Sequence, residues 1–176
     1  MTVVTKSSMW VLFCVLLIAA WVLGPVTQVG AETMNYKSYS YVLKAEDVPV
    51  GDVEGHTVGL VIRRAFYVFE NGEVATTNSV ATRDLIKGAG ASVQYTTINF
   101  ADGSTIVIKS QGRGGGTATA AQKSGGLTSE IIKGTGRFEG IKGTQSTKIR
   151  FLPVEKGEGG PKGIGEGTIT YTLPSK

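Results

Sequence analysis

Cysteine is all but missing from this 176-residue chain and histidine is as scarce, each occurring once, as Cys14 and His56. Cys14 lies inside an apolar N-terminal run, so the rest of the chain forms no disulfide and its stability must come from packing. One histidine without a second histidine or a cysteine does not make the usual zinc ligand set, and no metal is expected. His56 follows Glu54 and Gly55 at the start of a long strand. A surface histidine is the plain reading there, and a general base with Glu54 or Glu73 is the sharper one. Serine and threonine are abundant, yet no nucleophile-elbow sequence accompanies them, so hydrolase chemistry has no positive support.

Clustered charge is lacking too. Lys and Arg number 18 against 14 Asp and Glu, and setting aside the N-terminal segment leaves 17 bases against 14 acids, a net charge of +3. So small and dispersed an excess excludes a nucleic-acid surface and indicates no charge-driven partner.

Long hydrophobic runs are confined to the N-terminus. Lys6 precedes the apolar stretch Met9 to Leu23 (MWVLFCVLLIAAWVL), Gly24-Pro25 breaks it, and Val29-Gly30-Ala31 offers the small residues a signal peptidase cuts. This layout predicts a secretory signal over residues 1–31 and a secreted or periplasmic domain over residues 32–176. An uncleaved membrane anchor is the alternative, because the run approaches the roughly 18 apolar residues that span a bilayer. A lipoprotein anchor on Cys14 is disfavoured by bulky Phe13 and by the position of Cys14 within the run.

Beyond Glu32 helical periodicity is nearly absent, and short segments rich in Val, Ile, Thr, Tyr and Phe are punctuated by glycine. Strands are predicted over Tyr36–Lys44, Thr57–Glu70, Glu73–Arg83, Gln94–Phe100, Ser104–Gln111, Leu127–Lys133, Gln145–Leu152 and Gly167–Leu173. Asn71-Gly72 predicts a type I′ hairpin, and Ala101-Asp102-Gly103 a three-residue loop with the glycine left-handed. Gly112 to Gly116 (GRGGG), with Arg113, reads as a solvated loop, as does Glu155 to Gly165. About eight antiparallel strands without a crossover helix predict an all-β fold, and closure into a barrel hides their edges; a sandwich is the alternative. The stretch GTGRFEGIKG, Gly134 to Gly143, reads as turn and bulge positions. A phosphate-gripping loop would lead into a helix, whereas QSTKIRFL downstream reads as strand.

The run IIKGTGRFEGIKG, followed by two strands, resembles the closing half of dirigent proteins and allene oxide cyclases, and GHTVG (Gly55 to Gly59) with FENGEVAT (Phe69 to Thr76) resembles exported bacterial relatives without an assigned activity. The resemblance implies an antiparallel eight-stranded barrel with a largely apolar cavity, often assembled as a homotrimer. It also implies cofactor-free chemistry, either cyclisation of an unsaturated fatty-acid epoxide or steering of phenoxy-radical coupling. No catalytic residue carries over, because the strand motifs that bear them have no match here.

Alternation along Thr57 to Glu70 puts Gly59, Val61, Arg63, Ala65, Tyr67 and Phe69 on the face suited to the inside of a small barrel. A buried guanidinium must be paired, and Glu73, Asp84, a ligand carboxylate or water are the candidate partners of Arg63. In the functional reading Arg63 anchors an anionic or oxygen-rich ligand, with Tyr67 and Tyr95 as hydroxyl handles on an apolar wall. In the plainer one Arg63 stands at the barrel mouth or in a structural ion pair, and a one-residue register slip would put Arg64 and Glu70 in its place. The function expected is binding of a small apolar or amphipathic molecule, with or without steering its cyclisation or coupling. A packed barrel acting as an envelope interaction module is the alternative.

Overall fold

The computed structural model describes residues 30–115, 128–158 and 160–175. The signal reading of the N-terminal segment, apart from residues 30 and 31, lies outside the described residues, as do Gly116 of the glycine run and Leu127 of the sixth expected strand. Eight strands, β1 (Glu32–Pro49), β2 (His56–Phe69), β3 (Val74–Ile86), β4 (Ala89–Phe100), β5 (Thr105–Gly115), β6 (Thr128–Thr135), β7 (Lys142–Phe151) and β8 (Gly163–Thr172), close in chain order into an antiparallel barrel. Among the described residues one 3₁₀ turn, Gly136–Phe138, interrupts them. The seam pairs β1 with β8 from Glu32↔Tyr171 to Ser40↔Gly163.

Turn chemistry sets the registers, with one correction. Residues 70–72 form a three-residue loop and not the type I′ turn expected of Asn71-Gly72. Phe69 N–H donates to Glu73 O at 2.9 Å, Gly72 N–H donates to Phe69 O at 3.0 Å, and Gly72 alone takes positive φ, at 85°. The Asn71 side chain accepts the Glu73 N–H at 3.0 Å, which favours this loop over the tighter one. The loop at Ala101-Asp102-Gly103 repeats the design, with Gly103 at φ 82° and Asp102 accepting the Ser104 N–H at 2.9 Å. Both positive dihedrals of a type I′ turn occur instead at Lys87 (50°) and Gly88 (80°), between the paired Ile86 and Ala89. Lysine rarely adopts positive φ, so nothing in the sequence marked this hairpin.

Several strands outrun their sequence signals. β1 continues through the charged Ala45–Pro49, β4 begins in the small residues Ala89–Val93, and the backbone of GRGG, read as loop, pairs with β4 out to Ala89↔Gly115. Gly163 and Gly165, also read as loop, belong to β8. A bulge at Leu43, where the β1–β2 register shifts between Val42 and Lys44, moves the inward set of β1 from even to odd residues.

Alternation holds around the barrel, and the interior divides along its axis. One half is a continuous core in which Tyr36, Tyr67, Phe69, Phe100, Phe138 and Tyr171 pack with Ile98, Ile106, Ile108 and Ile169. Ring contacts run from the parallel Tyr36–Tyr67 stack at 4.1 Å through Phe69 and Phe100 to Phe138 and Tyr171. The other half holds Arg63 with the hydroxyl side chains of Ser79 and Thr96, the bare Gly163 and Gly165, and the apolar Ile149 and Phe151.

Candidate ligand site in the barrel interior

Arg63 sits in β2 opposite Val42 of β1 and Ser79 of β3, half-buried on the inward face. Its guanidinium carbon lies 5.2 Å from the centre of the Phe151 ring, a cation–π contact from across the barrel. Nη1 is fully buried, and no described side chain or backbone oxygen accepts its protons. Burial, and after it the positive charge of Arg83, push the Arg63 pKa below the ordinary arginine value.

The acids that could have paired with it are engaged elsewhere. Glu73 lies ten residues along the chain at the aromatic end, where it accepts from Arg137 Nη2 at 2.6 Å. Asp84 faces outward and bonds His56 Nε2 at 2.9 Å. Asp47, on the inner face beyond the β1 bulge, accepts two bonds from Arg83, one of them from Nε at 2.7 Å. Gly59 stands between these two in the ladder, and a Cβ there would come within 2.0 Å of Asp47 Oδ1. The missing side chain lets the ion pair bridge across β2.

Tyr67 takes the inward position expected of it, deeper than Arg63. Its hydroxyl receives a long bond from Gln145 Nε2 at 3.4 Å, and the same amide donates to the Tyr36 hydroxyl at 2.6 Å. Tyr36 also bonds Thr147 Oγ1 at 2.6 Å. Burial raises both phenol pKa values, so the pair stays neutral at any physiological pH. Further hydroxyl pairs, Ser79–Thr96 and Ser110–Ser129, each at 2.8 Å, line neighbouring strands.

Tyr95 does not join this site. In β4 the even residues Gln94, Thr96, Ile98 and Phe100 face inward, so Tyr95 points outward, 46% exposed beneath Lys109. The structure thus brings Arg63 and Tyr67 to one interior and leaves Glu73 and Tyr95 out of it. Tyr36, Gln145, Thr147 and Phe151 belong to the same interior and were not anticipated. Alternation within Tyr36–Ser40 and Gln145–Phe151 could have found them, but only after the register of β1 and β7 was known.

Among the interior-facing residues of the polar half, Phe151 is half-buried and Ile149, beside Gly163 and Gly165, is 37% exposed. The isoleucines of the aromatic half are fully covered. The β8 wall here is glycine at alternate positions, and Ser40, Ser38 and Tyr36 of β1 lie where side chains on Gly163, Gly165 and Gly167 would be. A separate groove of about 500 Å³ crosses the outer face of β1–β4, with Val48, Val58, Leu60 and Val93 among its lining.

The GTGRFEG turn is structural. Gly136 takes φ 63°, the Arg137 amide donates to Ser104 Oγ at 3.1 Å, and the Arg137 guanidinium lies 4.7 Å and 4.8 Å from the Phe100 and Phe138 ring centres. The same guanidinium pairs with Glu73 and with Asp102, leaving no cradle for a phosphate. His56 is held between two carboxylates, Asp52 on Nδ1 at 2.6 Å and Asp84 on Nε2 at 2.9 Å, with neither Glu54 nor Glu73 as its partner.

No family model and no curated protein matches the chain. Among solved structures, a protein of unknown function from the DUF3224 family of Shewanella oneidensis MR-1 is similar over 83% of this chain and 100% of its own, at 14% identity and a TM-score of 0.54. The pterocarpan synthase dirigent proteins PsPTS1 and GePTS1 align at 17% and 16% identity, over 83% and 82% of this chain and 97% and 92% of theirs, each with a TM-score of 0.49. At such identities likeness speaks to fold and not to activity. The comparison with the Shewanella protein therefore establishes a shared barrel fold.

Proposed function

We propose that the barrel binds a small apolar or amphipathic molecule in the polar half of its interior. The supporting observation is that apolar side chains aimed inward there, Ile149 and Phe151, stay partly uncovered beside hydroxyl groups and a cation. Apolar surface beside a few placed polar groups is the usual make-up of a small-molecule site. In this reading the protein is exported, as its N-terminal segment suggests, and assembles as a homotrimer, as the sequence resemblance suggests. Steering of a cyclisation or coupling belongs to the same reading, since holding one reactive conformer requires no cofactor. Native mass spectrometry of protein extracted under mild conditions tests it: a small molecule should co-purify, and repeated preparations carrying none would count against it.

A second reading, an interaction module, draws on the outer surface. Tyr39 and Phe66 are cross-strand neighbours there, both about half exposed, and the apolar groove lies further along the same strands.

A further inference from the structure

We infer that the ligand is an anion, and that its oxyanion head lies against Arg63 while its apolar body lies along Phe151 and Ile149. This rests on the reading that the polar half of the interior is a binding site, and adds the chemical class of what fills it. The buried Nη1 of Arg63 is the only buried side-chain nitrogen or oxygen without a hydrogen-bond partner among the described residues. A guanidinium in that condition is costly to the fold, because its Nη1 has given up water without gaining an acceptor. Asp47 is held on Arg83, Asp84 on His56 at the outer face and Glu73 on Arg137 at the aromatic end, so none can turn to Arg63 without abandoning a bond.

Arg83 is engaged with Asp47 through two hydrogen bonds. An anion beside Arg63 would supply the acceptor that its buried N–H lacks. The planar fork of the guanidinium suits a carboxylate, which accepts two parallel N–H bonds. The ring of Phe151, on which the guanidinium rests, extends the apolar surface beside the head group.

The test compares octanoate with 1-octanol by isothermal titration calorimetry on the full chain, alongside Arg63→Met and Arg63→Lys. Octanoate should bind the unaltered protein at least about tenfold more tightly than octanol, in line with a charge-assisted bond. Arg63→Met should bind both alike, and Arg63→Lys should fall between. Ligand-free Arg63→Met should melt no lower than the unaltered protein, since it removes an unsatisfied charge and keeps an unbranched apolar side chain. Octanol binding as tightly as octanoate would overturn the anion while leaving the site standing, and failure of both to bind would remove the site as well. A ligand-free Arg63→Met that melts several degrees lower would mean that the guanidinium is held within the fold, which also sinks the inference.

Discussion

Gly136 is restricted twice, by backbone and by packing. Its φ of 63° disfavours any L side chain, by roughly 1–2 kcal/mol. A Cβ would also stand 2.4 Å from Ser104 Oγ, the atom that receives the Arg137 amide. Gly136→Ala is therefore expected to destabilise the protein by about 2 kcal/mol in urea unfolding. Octanoate affinity should not change, because the turn closes the aromatic end. His56 has two acceptors on one ring, and only the imidazolium donates to both. The bond to Asp84, and then that to Asp52, raises its folded pKa above the ordinary histidine value. The stability this contributes is fully present below the unfolded pKa and is lost as pH rises through the raised folded value. Measured as the urea midpoint of the unaltered protein minus that of His56→Gln, the difference should shrink across that window. A difference that stays flat with pH would show that the two carboxylates do not stabilise the charged ring.

Elements show where strand signals succeed and where they fade. β2 was legible because Val, Ile, Tyr and Phe alternate along it, and Ala65, Tyr67 and Phe69 face inward as that alternation requires. The start of β4 and the outer end of β1 were not, because small and charged residues there are held extended by their neighbours rather than by their own preference. β8 is the sharpest case. Its glycines weaken any strand signal, yet the fold uses their bareness, since the Tyr36 ring lies where a Gly167 side chain would be, its Oη 2.3 Å from the Cβ position. Gly167→Val should displace that ring and part it from Gln145 and Thr147, with a loss of about 2–3 kcal/mol by urea unfolding. Gly72→Val, where nothing lies within 4 Å of the added Cβ, carries the backbone penalty alone and should cost less.

Across the whole molecule the two halves of the interior divide a packed core from the proposed binding site. Phe100 touches both Phe69 and Phe138 and lies beneath Arg137, so Phe100→Ala opens the centre of the aromatic half. A loss of about 3–5 kcal/mol is expected, measured as a shift of the urea midpoint. Ligand-free Arg63→Met should show no such loss, and that contrast locates the stabilising core at one end. Removing a well-satisfied group weakens a fold, whereas removing an unsatisfied charge relieves it.

Hydrophobic alternation and glycine-bearing turns were enough, from the sequence, to specify an all-β chain of about eight antiparallel strands and to put Arg63 and Tyr67 on one face of β2, because both signals are local and repeat every two residues. Which side chains meet across the barrel was settled only by the tertiary structure. The pairing of Glu73 with Arg137, the outward turn of Tyr95 and the contact of Arg63 with Phe151 all depend on registers fixed by bulges, loop lengths and ring closure. Those are relations between distant strands, and a one-residue change in any of them would reverse which face each side chain occupies.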